Sequence, residues 1–356
     1  MKVLYVVPNP NRIGGVSTSI RRVTNYLKNK GIDTTVFCPD FEAVNNKSKS
    51  EMVMMKDLLT GTLMQRFTQR IIEKTREDLP DLIVGYYGSS TGYCATAAAK
   101  FLNLPVIVCF RGNDINRDFF SSFHAHKLNF VIQNATALTT VSSEMKQKVK
   151  TWLGASSTFI SNSVDKGIFY NSKVDVSSFK KHLNLNASPI IGLFGEFKSS
   201  RGLDLFKYLE KDFSNTQFLI FGHVRPSVQK QIPQFVTIVP YIENKDKLRI
   251  AYSTCDVVLQ PSKYDGMPNV VLEAMACERL VIASNTGGIR DLINHGQNGF
   301  LCNSEEEWKS NLKLALNNEM PEIGINARKS IPDVKQEAEA FLSLFNKVLK
   351  AHTNEQ

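Results

Sequence analysis

Pro261-Ser-Lys-Tyr-Asp-Gly-Met-Pro-Asn-Val-Val-Leu-Glu-Ala-Met-Ala-Cys277 follows an apolar strand-like run, Val257 to Leu259, and opens a helix. Pro268 suits the first helical turn, where a missing N–H costs nothing. The peptide N–H groups between Gly266 and Val270, around Met267 and Asn269, then point out of a helix N-terminus, whose partial positive charge is a natural seat for a diphosphate. Gly266 lets the backbone approach a ligand closely. Two carboxylates bracket the turn: Asp265 precedes the helix and Glu273 lies about one and a half turns inside it. A carboxylate accepts two hydrogen bonds at once, so Glu273 can take both hydroxyls of a ribose and Asp265 those of an attached sugar. A surface cap and a helix-dipole carboxylate are the alternative reading of the same two residues.

Outward from this stretch, short apolar runs recur at Ile190 to Phe194, Phe218 to Phe221, Val236 to Val239 and Leu280 to Ala283, giving five buried-strand candidates with Val257 to Leu259. The first half repeats the rhythm. Lys2 to Val7 reads as a strand, Gly14 and Gly15 as a turn, and Ser17 to Asn29 as a helix through Ile20, Val23, Tyr26 and Leu27, ended by Gly31. Further strands are expected at Thr34 to Cys38, Leu82 to Tyr86, Val106 to Phe110 and Ala137 to Val141. Alternation of this kind predicts two doubly wound α/β sheets, and 356 residues suit two domains with a cleft between them. The polar stretch Val164 to Ser188 is the expected linker region, with the boundary near Asn162 to Lys173. Lys335 to Leu349 is amphipathic (Ala338, Phe341, Leu342, Phe345, Leu349) and needs a surface to cover.

Composition excludes disorder and a fibrous architecture: 42% of residues are hydrophobic and 22% charged. No stretch approaches the ~20 apolar residues of a membrane span, and Val3 to Val7 reads as a strand rather than a signal peptide, so a cytoplasmic location is expected. The six cysteines are scattered, with no CxxC pair, and read as reduced, buried thiols. Residues 1–163 hold 20 lysines and arginines against 12 acids, whereas the remainder holds 23 against 22. A basic first half points to an anionic partner such as a phospholipid surface, a polyprenyl diphosphate or an acidic glycan, or else to a solvated basic surface. Residues 51–76 mix Met52, Met54, Met55, Leu58, Leu59, Leu63, Met64, Phe67, Ile71 and Ile72 with Lys56, Arg66, Arg70, Lys74 and Arg76. Such a segment can lie on an anionic membrane. An ordinary sheet-covering helix is the alternative.

Asp265 to Cys277 resembles the E-x7-E segment of the retaining glycosyltransferases of family 4, with Asp in place of the first Glu. Ala251-Tyr-Ser-Thr-Cys-Asp-Val-Val-Leu-Gln-Pro-Ser262, Ile282-Ala-Ser-Asn-Thr-Gly-Gly-Ile-Arg-Asp-Leu-Ile293 and Gly296-Gln-Asn-Gly-Phe-Leu301 are also similar to that family. In the first half the likeness is carried by Gly14-Gly15-Val16, Thr139-Thr-Val-Ser142 and Ser161-Asn-Ser-Val-Asp165. The resemblance implies a GT-B fold: two facing Rossmann-like domains, residues 1–163 for the acceptor, completed by a returning helix at 335–356, and residues 164–334 for the nucleotide sugar. It implies a donor cleft between them, with Gly14 and Gly15 offering N–H groups from the opposite wall. It also implies that Pro240-Tyr241-Ile242 reads the nucleotide base through its backbone.

Three positions depart from the family pattern. In Gly195-Glu-Phe-Lys-Ser-Ser-Arg-Gly202, the family counterpart carries Arg and Lys to the diphosphate; here Glu196 stands at the Arg position and Arg201 at the Lys position. A guanidinium is always charged and binds two phosphate oxygens, so Arg201 can stabilise a departing nucleotide without a metal. Glu196 cannot, and is expected either to face away or to be offset by Lys198. Arg111, in Val106-Ile-Val-Cys-Phe-Arg-Gly-Asn-Asp114, stands where many relatives carry His; it cannot act as a general base but can hold an anionic acceptor or a phosphate. Asp114 is a candidate for acceptor hydroxyls or a turn cap. The third departure is Asp265 itself.

The chain has no D-x-D pair of the kind that holds Mg²⁺ or Mn²⁺, so neither a metal nor another cofactor is expected. His124, His126 and His223 read as ordinary polar residues. The expected activity is retaining transfer of a sugar from a nucleotide diphosphate sugar to a glycan or lipid-linked acceptor in cell-surface polysaccharide or lipopolysaccharide assembly, with peripheral contact to the inner face of a membrane and no nucleic-acid partner. An epimerase or hydrolase of nucleotide sugars, or a catalytically silent binding subunit, are the alternatives.

Overall fold

Apolar runs too short for helices and rich in β-branched residues form the two sheets of the protein, and the amphipathic stretches between them supply the helices. The computed structural model describes residues 1–8, 14–38, 49–185, 189–317 and 320–355, with the side chains of 49–62, 199 and 355 outside that description. Two compact units result: Met1–Ser161 with Val334–Gln356, and Asn162–Asp333.

In the first unit the strands are β1 (Lys2–Val6), β2 (Asp33–Phe37), β3 (Leu82–Tyr86), β4 (Val106–Phe110), β5 (Ala137–Thr140) and β6 (Thr158–Phe159). All neighbouring pairs are parallel, in the order β2-β1-β3-β4-β5-β6. The helices are α1 (Gly15–Asn29), α2 (Lys49–Asp78), α3 (Thr91–Leu102), α4 (Asn113–Asn116), α5 (Ser122–Asn134) and α6 (Ser143–Leu153). Ile20, Val23 and Leu27 of α1 are buried at the spacing of one helical face and join Val3, Tyr5, Val84 and Ile107 in one core. Ser142 caps α6, its hydroxyl accepting from the Met145 N–H at 3.2 Å.

The second unit holds α7 (Val176–His182), β7 (Ile190–Phe197), α8 (Phe206–Leu209), β8 (Gln217–Val224), α9 (Pro226–Gln229), β9 (Val236–Val239), α10 (Lys245–Thr254), β10 (Val257–Gln260), α11 (Asn269–Ala276), β11 (Leu280–Ser284), β12 (Phe300–Cys302), α12 (Glu305–Asn317) and α13 (Pro321–Ser330). Its parallel strands run β12-β11-β10-β7-β8-β9. The chain then returns to the first unit as α14 (Val334–Glu355), whose Ala338, Phe341, Phe345 and Val348 are buried in that unit's core.

Several expectations need correction. β6 and β12, of two and three residues, were too short to show as apolar runs. The expected strand Ile190 to Phe194 continues to Phe197, because Gly195, Glu196 and Phe197 stay in register with Gly222, His223 and Val224. Contact there is close enough that a Cβ on Gly222 would stand 1.9 Å from the Gly195 carbonyl oxygen. The stretch expected as a linker belongs to the second unit: Phe169 is buried with its ring edge-on to Tyr252, and Val164 bridges to Asp333. In α2, Phe67, Ile71 and Ile72 are buried, the behaviour of a sheet-covering helix. Met52, Met54, Met55, Lys56, Leu58 and Leu59 lie outside the described side chains. Among the described residues no helix is long and apolar enough to cross a membrane, and the six cysteines are free thiols, five of them buried.

Candidate active site

In the second sheet the strand order reverses between β7 and β10, so the chain leaves these neighbouring strands toward opposite sides and opens a crevice at their carboxyl ends. The sequence places Gly195 to Gly202 at the end of β7 and Pro261 to Pro268 at the end of β10, and the fold therefore brings the two segments together. Arg201 is the centre of the contact. Its Nε donates to the Glu196 carbonyl oxygen at 3.1 Å, and its Nη1 donates to Ser262 Oγ at 3.1 Å and to Asp265 Oδ2 at 3.3 Å. The remaining nitrogen, Nη2, lies 3.4 Å from where a Cβ on Gly195 would stand, so a glycine there leaves that edge of the guanidinium uncovered; Val270, at the start of α11, is 3.8 Å from the same point. Burial pushes the Asp265 carboxyl above the usual carboxylate range, against the pull of Arg201, Lys198 and the Gly266 N–H.

Glu196, the wrong charge for a diphosphate, turns its carboxylate to Arg225, which reaches it through Nε at 2.8 Å and Nη2 at 2.7 Å. Its side chain thus leaves the site to Arg201 and Lys198.

Pro268 is the N-cap of α11, one position before the first helical residue and earlier than its expected place inside the first turn. Pro268 has no side-chain group to cap this end and no acid occupies the first turn, so the helix carries no acid of its own against its positive pole. Glu273 is 8% exposed, and the hydroxyl of Tyr252 donates to its Oε2 at 2.9 Å. Tyr252 is itself stacked on Phe194 at 3.9 Å between ring centroids. Its phenol is pushed well above its usual range by burial and by Glu273.

Backbone packing fixes the turn. Cβ atoms on Gly287 and Gly288 would stand 1.8 Å from the Asp265 and 2.0 Å from the Gly266 carbonyl oxygens. From the other side Asn162 donates from Nδ2 to the Met267 carbonyl oxygen at 3.0 Å and from its backbone N–H to Met267 Sδ at 3.2 Å. Tyr241, exposed, and Ile242, half-buried, follow β9. Sequence reasoning did not single out Tyr252, Asn162, Arg225, Gly287 or Gly288 as site residues. Each acts across 20 or more residues of chain, where local spacing carries no signal; all but Arg225 lie in stretches that carry the family likeness, without a role of their own.

In the first unit, Gly14 and Gly15 are exposed at the start of α1, next to residues 9–13, which lie outside the described residues. Arg111, at the end of β4, is 9% exposed; its guanidinium sits over the Tyr86 ring at 5.3 Å and donates to Ser19 Oγ at 3.2 Å. Asp114 is fully buried. Its Oδ2 accepts from the Arg111 N–H at 2.7 Å, the geometry of a turn cap, while its Oδ1 has no hydrogen-bond partner among the described residues. Burial raises this carboxyl to about 6. Among the described residues no group of three His, Cys, Asp or Glu could hold a metal ion.

Two family models account for most of this architecture. Residues 13–167 match Glycosyltransferase Family 4 and residues 188–318 match Glycosyl transferases group 1. The chain belongs to glycosyltransferase family 4. An uncharacterized glycosyltransferase of Methanocaldococcus jannaschii is 26% identical over 67% of this family 4 chain and 66% of its own length. A putative teichuronic acid biosynthesis glycosyltransferase of Bacillus subtilis is 24% identical over 63% of the chain, which spans only 58% of that relative. The crystal structure of Anabaena HepE in complex with UDP-glucose superposes with a TM-score of 0.79 at 16% identity, covering 98% of the family 4 chain and all of HepE. That likeness carries the fold, GT-B.

Proposed function

We propose that the protein transfers a glycosyl residue from a nucleoside diphosphate sugar to a hydroxyl of a glycan or lipid-linked acceptor, with retention of configuration and without a metal. The observation that carries this reading is the convergence of Arg201, Asp265, Gly195 and the start of α11 at the carboxyl ends of β7 and β10. Nη2 of Arg201 and the N–H groups at the start of α11 take the diphosphate, with Lys198 beside them. Glu273, aimed by Tyr252, takes the ribose hydroxyls, and Asp265 those of the sugar. Tyr241 and Ile242 border the base.

The C1–O bond to the diphosphate breaks through an oxocarbenium-like state, the acceptor oxygen bonds to C1 from the face the diphosphate leaves, and a diphosphate oxygen takes the acceptor proton. Preorganised positive charge, rather than a general base, lowers the barrier. Arg111, with a permanent positive charge, is assigned to the acceptor or to a donor phosphate, and Asp114 holds its backbone. Assembly of a cell-surface polysaccharide or lipopolysaccharide at the inner face of a membrane is the setting we propose; the named role of the Bacillus relative and the basic first half support it.

The test presents purified protein with UDP-, GDP- and ADP-sugars and lipid-linked or soluble glycan acceptors, with a chelator present throughout, and follows the product by NMR. The reading expects one donor class to raise the unfolding temperature by mass action, and a product whose anomeric configuration equals that of the donor. Isomerised donor in the absence of acceptor, or an inverted product, refutes it. Glu273→Ala should abolish turnover while the fold survives.

A further inference from the structure

Away from the site just described, α2, α3 and α5 of the first unit line a cavity of about 430 Å³ that is half open to solvent. Its wall has an apolar part, Met64, Ile72, Tyr93, Ala97 and Phe123, and a polar part, Gln65, Thr68, Gln69, His126 and Lys127. Lys127 is the unusual member. It is 5% exposed, yet its Nζ has no hydrogen-bond partner among the described residues. The side chain nearest to replacing water is Phe123, whose ring centroid lies 4.1 Å from Nζ and which is itself 47% exposed. Among the described residues no carboxylate pairs with the ammonium: Asp118, which acts on it from a distance, is engaged by Arg117 at 2.7 Å and by the Ser89 hydroxyl. Burial accordingly pulls the Lys127 ammonium below its usual range.

A buried cation without a counter-charge is costly, and an anion that completes it is one way such a group is satisfied. An ammonium offers three donors to a compact anion, and the cavity beside it falls in the size range of small-molecule sites, with an apolar lining for an aliphatic tail. We propose that this cavity binds an anionic amphiphile of the alkyl phosphate type, its head on Lys127 once Phe123 swings out, and its tail along Met64, Ile72 and Ala97. The proposal does not depend on the donor site, which is built from the other unit.

The experiment titrates the full-length protein by calorimetry with dodecyl phosphate below its micelle concentration, with inorganic phosphate, and with dodecanol. Saturable binding of dodecyl phosphate is expected, weakened about tenfold to a hundredfold by Lys127→Met, the scale of one charge-assisted contact, kept by Lys127→Arg, and lost in Ala97→Phe, which fills the apolar end. Thermal unfolding of each variant reports that it is folded. Two results overturn the proposal: equal binding of dodecanol and dodecyl phosphate, which makes the ammonium irrelevant, or inorganic phosphate binding as tightly as dodecyl phosphate, which makes the apolar wall irrelevant. Unchanged affinity in the folded Lys127→Met and Ala97→Phe variants places any bound amphiphile elsewhere and overturns it as well.

Discussion

Arg225 holds Glu196 through two nitrogens, and this pair accounts for an acid in a segment where the family resemblance calls for a cation. The sequence left two outcomes open at Glu196, and the choice was made by a residue 29 positions away, just past the end of the neighbouring strand β8. Arg201, Asp265 and Glu273 were singled out from the text by charge and position, and the fold brings Arg201 and Asp265 into contact. What aims them was not, since Tyr252 and Asn162 act through tertiary contact. Asp114 shows the same limit, because its burial decides its behaviour. With its carboxyl raised from 3.8 to about 6 in the fold, the stability it contributes is present below the unfolded value and is lost as pH rises through about 6. Asn mimics the neutral acid. Wild type should therefore lose roughly 3 kcal/mol relative to Asp114→Asn between pH 3.8 and about 6, and nothing further above it. Chemical denaturation of both proteins across that range checks it; parallel pH profiles contradict it.

At the scale of elements, the apolar periodicity located ten of the twelve strands among the described residues and failed where a strand was too short to show one or, as at the end of β7, ran on through glycine and a charge. Paired backbone rather than hydrophobicity extends β7, and glycine makes the pairing possible by removing a Cβ that would meet a carbonyl oxygen. The turn after β11 follows the same logic against the donor turn. Gly288→Ala should push the Asp265–Met267 backbone away, costing about 1–3 kcal/mol of stability together with donor affinity; unfolding midpoints and a donor titration on the variant measure the two losses. The docking of α14 is a second element-level test. Glu337 is buried and accepts from Ser19 Oγ and from Arg22 Nη2, each at 2.9 Å. Glu337→Ala leaves Arg22 facing the core without its carboxylate and should destabilise the protein by about 3–5 kcal/mol in chemical denaturation.

Over the whole molecule, two alternating patterns of strand and helix were enough to read two parallel sheets from the text, because inner strands such as β3, β4 and β10 are buried along their whole length and so are apolar. The order of strands was not legible, and with it went the reversal between β7 and β10 that gathers Arg201, Asp265 and α11 into one crevice. That reversal brings Arg201 to the start of α11, where we propose that a diphosphate binds. The most direct test compares Arg201→Ala with wild type in calorimetric titrations of UDP, GDP and ADP and of the matching free nucleosides. The account predicts a loss of roughly 1.5 to 3 kcal/mol for the diphosphate that wild type binds best, with the nucleoside unaffected. An equal loss for nucleoside and diphosphate, or no loss for either, contradicts it.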